Sequence, residues 1–207
     1  MVSNQAMCRF QPILLFSILL LSAFNIPMGK PYLTRWVITK GCYLKVLGST
    51  NVNKFGCVIA NFYKPDTLTF YKVTNSESLK MTGSLKLDVQ NFDCLNLVMT
   101  ADLRKTLKAK DFPHLIIRFI SLTRYPDLND QSNLVKGTVT IELAGITRQF
   151  QVDYRFISDE AKSLTLIGNQ KINFSDFKII PPRKIGSLIQ TNDELDVEFK
   201  LKLKALD

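Results

Sequence analysis

The chain has little of what metal sites and hydrolases are built from. Among its 207 residues His114 is the single histidine, and its four cysteines form no Cys-x-x-Cys pair. Zinc sites need clustered Cys, His or carboxylate ligands, and a nucleophile needs a nearby base, so both are disfavoured. A glycine-rich phosphate loop is also missing. We interpret His114 as structural and predict a non-enzymatic protein with no catalytic residues, no metal and no cofactor.

Long hydrophobic runs are missing beyond the N-terminus. Residues 13–26 are apolar except for Ser17, Ser22 and Asn25. The run is shorter than the roughly 20 residues of a bilayer-spanning helix and is typical of a secretory signal. We predict a signal peptide over residues 1–29, cleaved between 23 and 29, and one domain over 30–207 in a periplasmic or secreted protein. An uncleaved anchor is the alternative.

Basic residues exceed acidic ones, with a net charge of +9 that falls by one when Arg9 leaves with the signal peptide. The excess is spread along the chain without aromatic platforms, which argues against nucleic acid as a partner. Lys200, Lys202 and Lys204 alternate with apolar residues as a solvated strand face would. The alternative for this charge is peripheral contact with an anionic membrane surface.

Three cysteines remain after export, so one pair can bridge in an oxidising compartment and one is left over. We favour a disulfide between Cys57 and Cys94, since one closes a distinctive motif and the other precedes a predicted helix. Spacing does not prove the pairing, and the partner of Cys42 stays open.

Period-two alternation dominates the rest of the chain and predicts strands with one buried face. The clearest is 195–203, and 139–143 with 150–156 should form a hairpin across Ala144-Gly145. The remaining predicted strands are 67–73, 83–89, 115–122, 164–168 and 171–174. One segment differs, because Met99, Leu103 and Leu107 recur every four residues. It predicts one short amphipathic helix over about 97–109.

About eight antiparallel strands with one helix suit either a sandwich or a closed barrel. Alternation alone does not separate the two folds. Bulky aromatic residues are numerous, and a barrel of this size is either filled by its side chains or holds one apolar ligand.

Residues 48–57, with the sequence GSTNVNKFGC, supply the first motif of a recognisable order. Gly48 and the small polar residues after it predict a break between two strands. Gly48, Thr50, Asn51, Val52 and Phe55 match a Gly-x-Thr-Asn-Val-x-x-Phe element. The next elements follow in order. They are a helix before Phe112-Pro113, a strand over 115–122, a Gly-x-Thr segment over 137–147, Phe177-x-Ile179 and the closing strand. Together these segments resemble the YceI-like family of polyisoprenoid-binding, lipocalin-like barrels.

The resemblance implies an all-β fold, an eight-stranded antiparallel lipocalin-like barrel with one short helix. It also implies an elongated apolar interior that holds a polyisoprenoid or similar long-chain amphiphilic lipid, such as a fatty-chain lipid. The residues we expect to line that interior are Trp36, Phe70, Phe119, Phe150, Tyr154 and Phe174. The alternative is an exported structural or interaction module whose barrel core is filled and which binds no ligand.

Overall fold

A computed structural model describes residues 33–62, 66–72, 78–128, 134–160, 163–184, 186 and 188–206. The predicted signal peptide lies outside these residues. The strands are β1 (Leu33–Ile38), β2 (Cys42–Thr50), β3 (Lys54–Phe62), β4 (Thr67–Lys72), β5 (Leu79–Thr82), β6 (Ser84–Asp88), β7 (His114–Leu122), β8 (Leu134–Leu143), β9 (Ile146–Glu160), β10 (Ser163–Asn173), β11 (Arg183–Lys184) and β12 (Ile189–Leu206). The one α-helix, α1 (Leu97–Thr106), is joined by short 3-10 turns at Val89–Asn91 and Phe174–Phe177.

The strands close into an antiparallel barrel. Eight of them form a ring in the order β1, β4, β5, β7, β8, β9, β10 and β12, with β12 pairing back to β1. The length of β12 makes closure possible. Its residues 203–206 pair with β1 and its residues 195–200 pair with β2 on the same edge. The predicted eight-stranded barrel with one short helix is therefore confirmed.

Beside this closed ring, β2 with β3 and β6 extend the barrel wall, and no ladder joins β3 to β6 in the described part of the chain. The segment before α1 fills the gap. Val58 and Asp93 exchange backbone hydrogen bonds of 2.8 and 2.9 Å, and the adjacent Cys57 and Cys94 form a disulfide. This is the pair favoured from the sequence, and Cys42 is left as a buried free thiol.

Antiparallel strands place alternate connections at the same end of a barrel. One end carries the turn 51–53, the helix-bearing connection 89–113, the turn 144–145 and the 3-10 turn Phe174–Phe177. We call it the helix end. The first residues of β1 and the last residues of β12 lie at the opposite end, where the two strands pair with each other.

Alternation places the predicted inward residues in one continuous core. On β8, Val135, Val139 and Ile141 are buried while their neighbours are at least partly exposed. The hairpin predicted at Ala144-Gly145 is present, with φ of 49° and 80° at the two turn residues. Positive φ at both positions matches the right-handed twist of the flanking strands.

Candidate functional site

The site begins with α1, which lies across the helix end. Asn96 caps its first turn, since its side-chain oxygen accepts a hydrogen bond from the Met99 backbone N–H at 2.9 Å. Leu103 and Leu107 point to the barrel interior, whereas Leu97 is 91% exposed. The helix therefore caps the interior with its second half. Its end at Thr106 comes three residues before the predicted limit.

Two links join the helix region to the barrel. The Cys57–Cys94 disulfide holds the chain just before α1. Lys184 on β11 approaches Asp102 on the helix, with Nζ 2.5 Å from Oδ2. Both side chains are partly exposed, and such ion pairs contribute about 0–1 kcal/mol. The helix is thus tied covalently just before its start, and the packing of Leu103 and Leu107 holds its second half.

A small apolar cavity lies beneath the helix, with a volume of about 50 Å³. Asn173 is the one polar residue in its wall. The apolar lining residues are Leu44, Val46, Phe92, Leu103, Leu107, Leu115, Ile117, Ile141, Leu143, Ile172, Phe174, Phe177, Leu195 and Val197. Ligand pockets usually measure about 300–1,000 Å³, so a long chain fits here only if side chains or the helix move.

An aromatic cluster, which we call the aromatic floor, lies deeper in the barrel than this cavity and does not line it. Phe119 and Phe199 are the next inward residues after Ile117 and Val197 along β7 and β12. Their ring centroids lie 6.0 Å apart, and Phe199 packs edge-on against Tyr154 at 5.9 Å. Rings of this size fill the middle of the barrel and separate the cavity from the far half.

Two glycines make room for the cluster. A Cβ atom at Gly168 would lie 2.3 Å from the Phe199 ring, and one at Gly137 would lie 2.4 Å from the Tyr154 ring. Neither distance is sterically possible without movement. These glycines therefore allow rings from neighbouring strands to pack against the backbone.

Tyr154 carries an unusual polar atom at the centre of the barrel. The side chain is fully buried and its hydroxyl has no hydrogen-bond partner among the described residues. Burial raises the pKa of Tyr154 far above its ordinary value, so the hydroxyl stays protonated. An unpaired buried hydroxyl costs about 1–3 kcal/mol, and it could donate to a polar group that enters the interior.

The six residues expected to line the interior occupy three different levels of the barrel. Phe174 is the one that lines the cavity. Phe119 and Tyr154 belong to the aromatic floor, while Phe150 packs 5.9 Å from Phe177. Trp36 and Phe70 lie on β1 and β4, away from the helix, and contribute to the core. Their role in lipid binding stays a prediction.

Most of the cavity wall is aliphatic, and those residues were not among the ones predicted to line the interior. Alternation marks Leu44, Val46, Ile117, Ile141 and Val197 as inward, but it does not say how high along the barrel each one sits. The residues expected to line the interior were all large and aromatic, and such side chains occupy positions where they fill space. The amphipathic repeat of Leu103 and Leu107 was the usable signal, because a helix with one apolar face must cover something.

A second concavity, about 570 Å³, lies on the outer surface of the barrel. Its polar wall carries charges of both signs, and several are paired. Lys136 Nζ lies 2.9 Å from Asp153 Oδ1, and Lys171 Nζ lies 2.7 Å from Glu194 Oε1 just beside it. The groove is open and has no dominant charge, so we assign it no ligand.

The described residues hold little else that suggests chemistry. No group of three or more His, Cys, Asp or Glu side chains in the ranges given above is placed to hold a metal. His114 opens β7 opposite Asp88, and its Nδ1 is buried without a hydrogen-bond partner in that part of the chain. Within the same ranges, no helix has the length and hydrophobicity to cross a membrane.

Known structures share this architecture. Burkholderia cenocepacia BcnA superposes with a TM-score of 0.57 at 15% identity, covering 78% of this chain and 95% of that one. A polyisoprenoid binding domain from Saccharophagus degradans, implicated in plant cell wall breakdown, gives 0.57 at 13% identity over 83% and 98%. The Campylobacter jejuni YceI protein gives 0.50 at 18% identity over 70% and 84%. The sequence itself matches no family model and no curated protein.

These similarities define the class of protein by its architecture. The chain has the YceI-like barrel fold, and the resemblance drawn from its ordered motifs is confirmed at that level. Identities of 13–18% support the fold and leave the ligand to be argued from this chain's own residues.

Proposed function

We propose that this protein is an exported, non-enzymatic carrier that binds one long apolar lipid chain inside the barrel, beneath α1. The observation that carries the proposal is the cavity under the helix, whose wall is apolar apart from Asn173. The fold supports it, since one protein of the same architecture is a polyisoprenoid binding domain.

Entry requires the helix to lift. Removing Leu103 and Leu107 from the interior costs up to about 6 kcal/mol, because burial of one leucine contributes about 1.5–3 kcal/mol. Association itself costs about 4–15 kcal/mol. A total of about 10–20 kcal/mol is offset by burying about 12–25 CH₂ groups at about 0.8 kcal/mol each. The ligand class is therefore a long chain, such as a polyisoprenoid, rather than a short one.

A series of isoprenoid alcohols from geraniol to solanesol tests this directly. Native mass spectrometry of the exported protein should show one bound molecule for the long alcohols and none for geraniol. Val197→Phe fills the cavity and should abolish binding. Val37→Phe, the same change on a half-buried strand position outside the cavity, should leave binding intact. Failure of every alcohol to bind, or equal binding by the two variants, would refute the proposal.

The volume of about 50 Å³ favours a second candidate, an exported interaction module with a filled core. In that case the aromatic cluster and the helix are permanent parts of the core, and function lies on the surface. Hydrogen exchange of α1 separates the two candidates. If the protein is a carrier, the amides of α1 should exchange faster than those of the barrel strands, and solanesol should protect them. If it is a filled module, solanesol should not change the exchange rate of α1.

A further inference from the structure

The most exposed apolar side chains of the described residues all lie at the helix end. Six of them are more than 60% exposed: Val52 (64%), Leu95 (91%), Leu97 (91%), Val98 (67%), Ile180 (81%) and Leu188 (71%). They come from the turn before β3, from the start of α1 with the residue Leu95 before it, and from the connection before β12. By contrast, the exposed apolar residues of the opposite end, such as Leu33 and Leu134, reach 52% and 53%.

Contacts between the connections show that these residues share one surface. The Asn51 side chain donates to the Leu188 carbonyl at 2.8 Å, which brings the turn holding Val52 to the start of β12. The ion pair of Lys184 with Asp102 joins the same region to α1. We call these six side chains the apolar rim.

Exposed basic groups lie beside the apolar rim. Lys178 and Arg183 are both exposed and flank Ile180. Acidic neighbours are present too, and two of them accept backbone hydrogen bonds while they keep their charge. Asp93 accepts a hydrogen bond from the Leu95 backbone N–H at 2.8 Å, and Asp176 accepts one from the Asn173 N–H at 2.7 Å. Exposed apolar side chains beside basic groups complement the surface of a bilayer, where anionic head groups meet the acyl chains.

We propose that the apolar rim docks on the surface of a bilayer that contains anionic phospholipid, with Leu95, Leu97 and Ile180 inserted beneath the head groups. The inference stands on exposure and charge and does not rest on lipid carriage. If both hold, the cavity beneath α1 faces the membrane from which a chain would enter.

Tryptophan reporters locate the docked surface within the whole exported protein. Leu97→Trp places a reporter in the apolar rim, and Leu134→Trp places a matched one at the opposite end, while Trp36 is common to both. Vesicles of phosphatidylcholine, with or without phosphatidylglycerol, carry brominated phosphatidylcholine as the quencher. Quenching should be strong for Leu97→Trp on the anionic vesicles and should not exceed the Trp36 background for Leu134→Trp.

Charge variants supply the second measurement. Lys178→Asn with Arg183→Gln should lower the partition coefficient on anionic vesicles about thirtyfold, since each basic residue near such a surface contributes about fivefold. Asn suits the positive φ of 54° at position 178. Lys72→Gln with Lys204→Gln, at the opposite end, should have little effect.

Three results would overturn the proposal. The first is equal quenching of the two reporters, and the second is equal loss of binding by the two charge variants. The third is a blue shift of the Leu97→Trp emission that depends on protein concentration without vesicles, because it would show that a second copy of the chain covers the apolar rim. Loss of docking with retained solanesol binding would leave the carrier proposal intact.

Discussion

Replacing Cys57 and Cys94 together by alanine should lower the free energy of unfolding by about 4 kcal/mol. The two residues are 37 positions apart, and closing a loop of that size removes about this much free energy from the unfolded chain at 25 °C. For a domain of this length the loss corresponds to a fall in Tm of about 8–16 °C. The bond also closes the gap beside β3, so the region around α1 should loosen most.

Urea unfolding of the purified protein, with and without reductant, measures this effect. Reductant should lower the stability of the wild type to that of the double variant and leave the double variant unchanged. Cys42→Ala is the control, because Cys42 is a buried free thiol and its loss should leave the response to reductant in place. A loss no larger than about 1 kcal/mol, the ordinary effect of one substitution, would refute the structural role assigned to the disulfide.

Other predictions concern the helix, the core and the outer surface. Asp102→Asn should speed solanesol uptake by up to about fivefold in stopped-flow measurements, since it removes an ion pair worth at most about 1 kcal/mol, whereas Asp153→Asn should not. Tyr154→Phe should raise the stability of the lipid-free protein by about 1–2 kcal/mol in urea unfolding, because it removes an unpaired buried hydroxyl; destabilisation would show that the hydroxyl is satisfied. The hydrogen bond from the Tyr43 hydroxyl to Glu198 at 2.6 Å raises the pKa of Tyr43 to about 12 from 10.0. Its contribution is complete below pH 10.0 and is lost as pH rises through about 12, so the stability advantage over Tyr43→Phe should disappear across that window.

Strand faces could be predicted from the sequence because alternation is a local property. The run 195–203 is inward at every second residue, as predicted, and lies within β12. The ends of the strands were harder to predict from the sequence than their faces. Segments 164–168 and 171–174 were predicted as two strands, but Asn169 and Gln170 stay paired with Glu198 and Val197, so β10 is continuous. Partners across the sheet override the turn preference of Asn.

The candidate site was harder to predict, because it depends on position along the barrel axis. Alternation gives the face of a residue and says nothing of the level at which Phe199 meets Tyr154. Phe119 and Tyr154, two of the residues expected to line a binding space, pack in the middle of the barrel, and rings approach the backbone at Gly168 and Gly137. Their role in lipid binding stays a prediction. Closure of the sheet was equally non-local, since it depends on β12 pairing with both β1 and β2.

The six exposed side chains of the apolar rim also could not be found by pattern. Leu95 precedes the predicted amphipathic helix, and Leu97 lies at its start, off the stripe of Met99, Leu103 and Leu107. Periodicity does not show that both belong to one exposed apolar surface. The structure exposes both at 91%, because Leu103 and Leu107 already cover the cavity.

Native mass spectrometry of the protein purified from its own host under mild conditions tests the central claim most directly. We expect the wild-type protein to form a one-to-one complex with a long-chain lipid. The complex should be lost in Val197→Phe and retained in Val37→Phe. A wild-type protein that carries no lipid and takes up no solanesol, with α1 exchanging as slowly as the barrel strands, would contradict it.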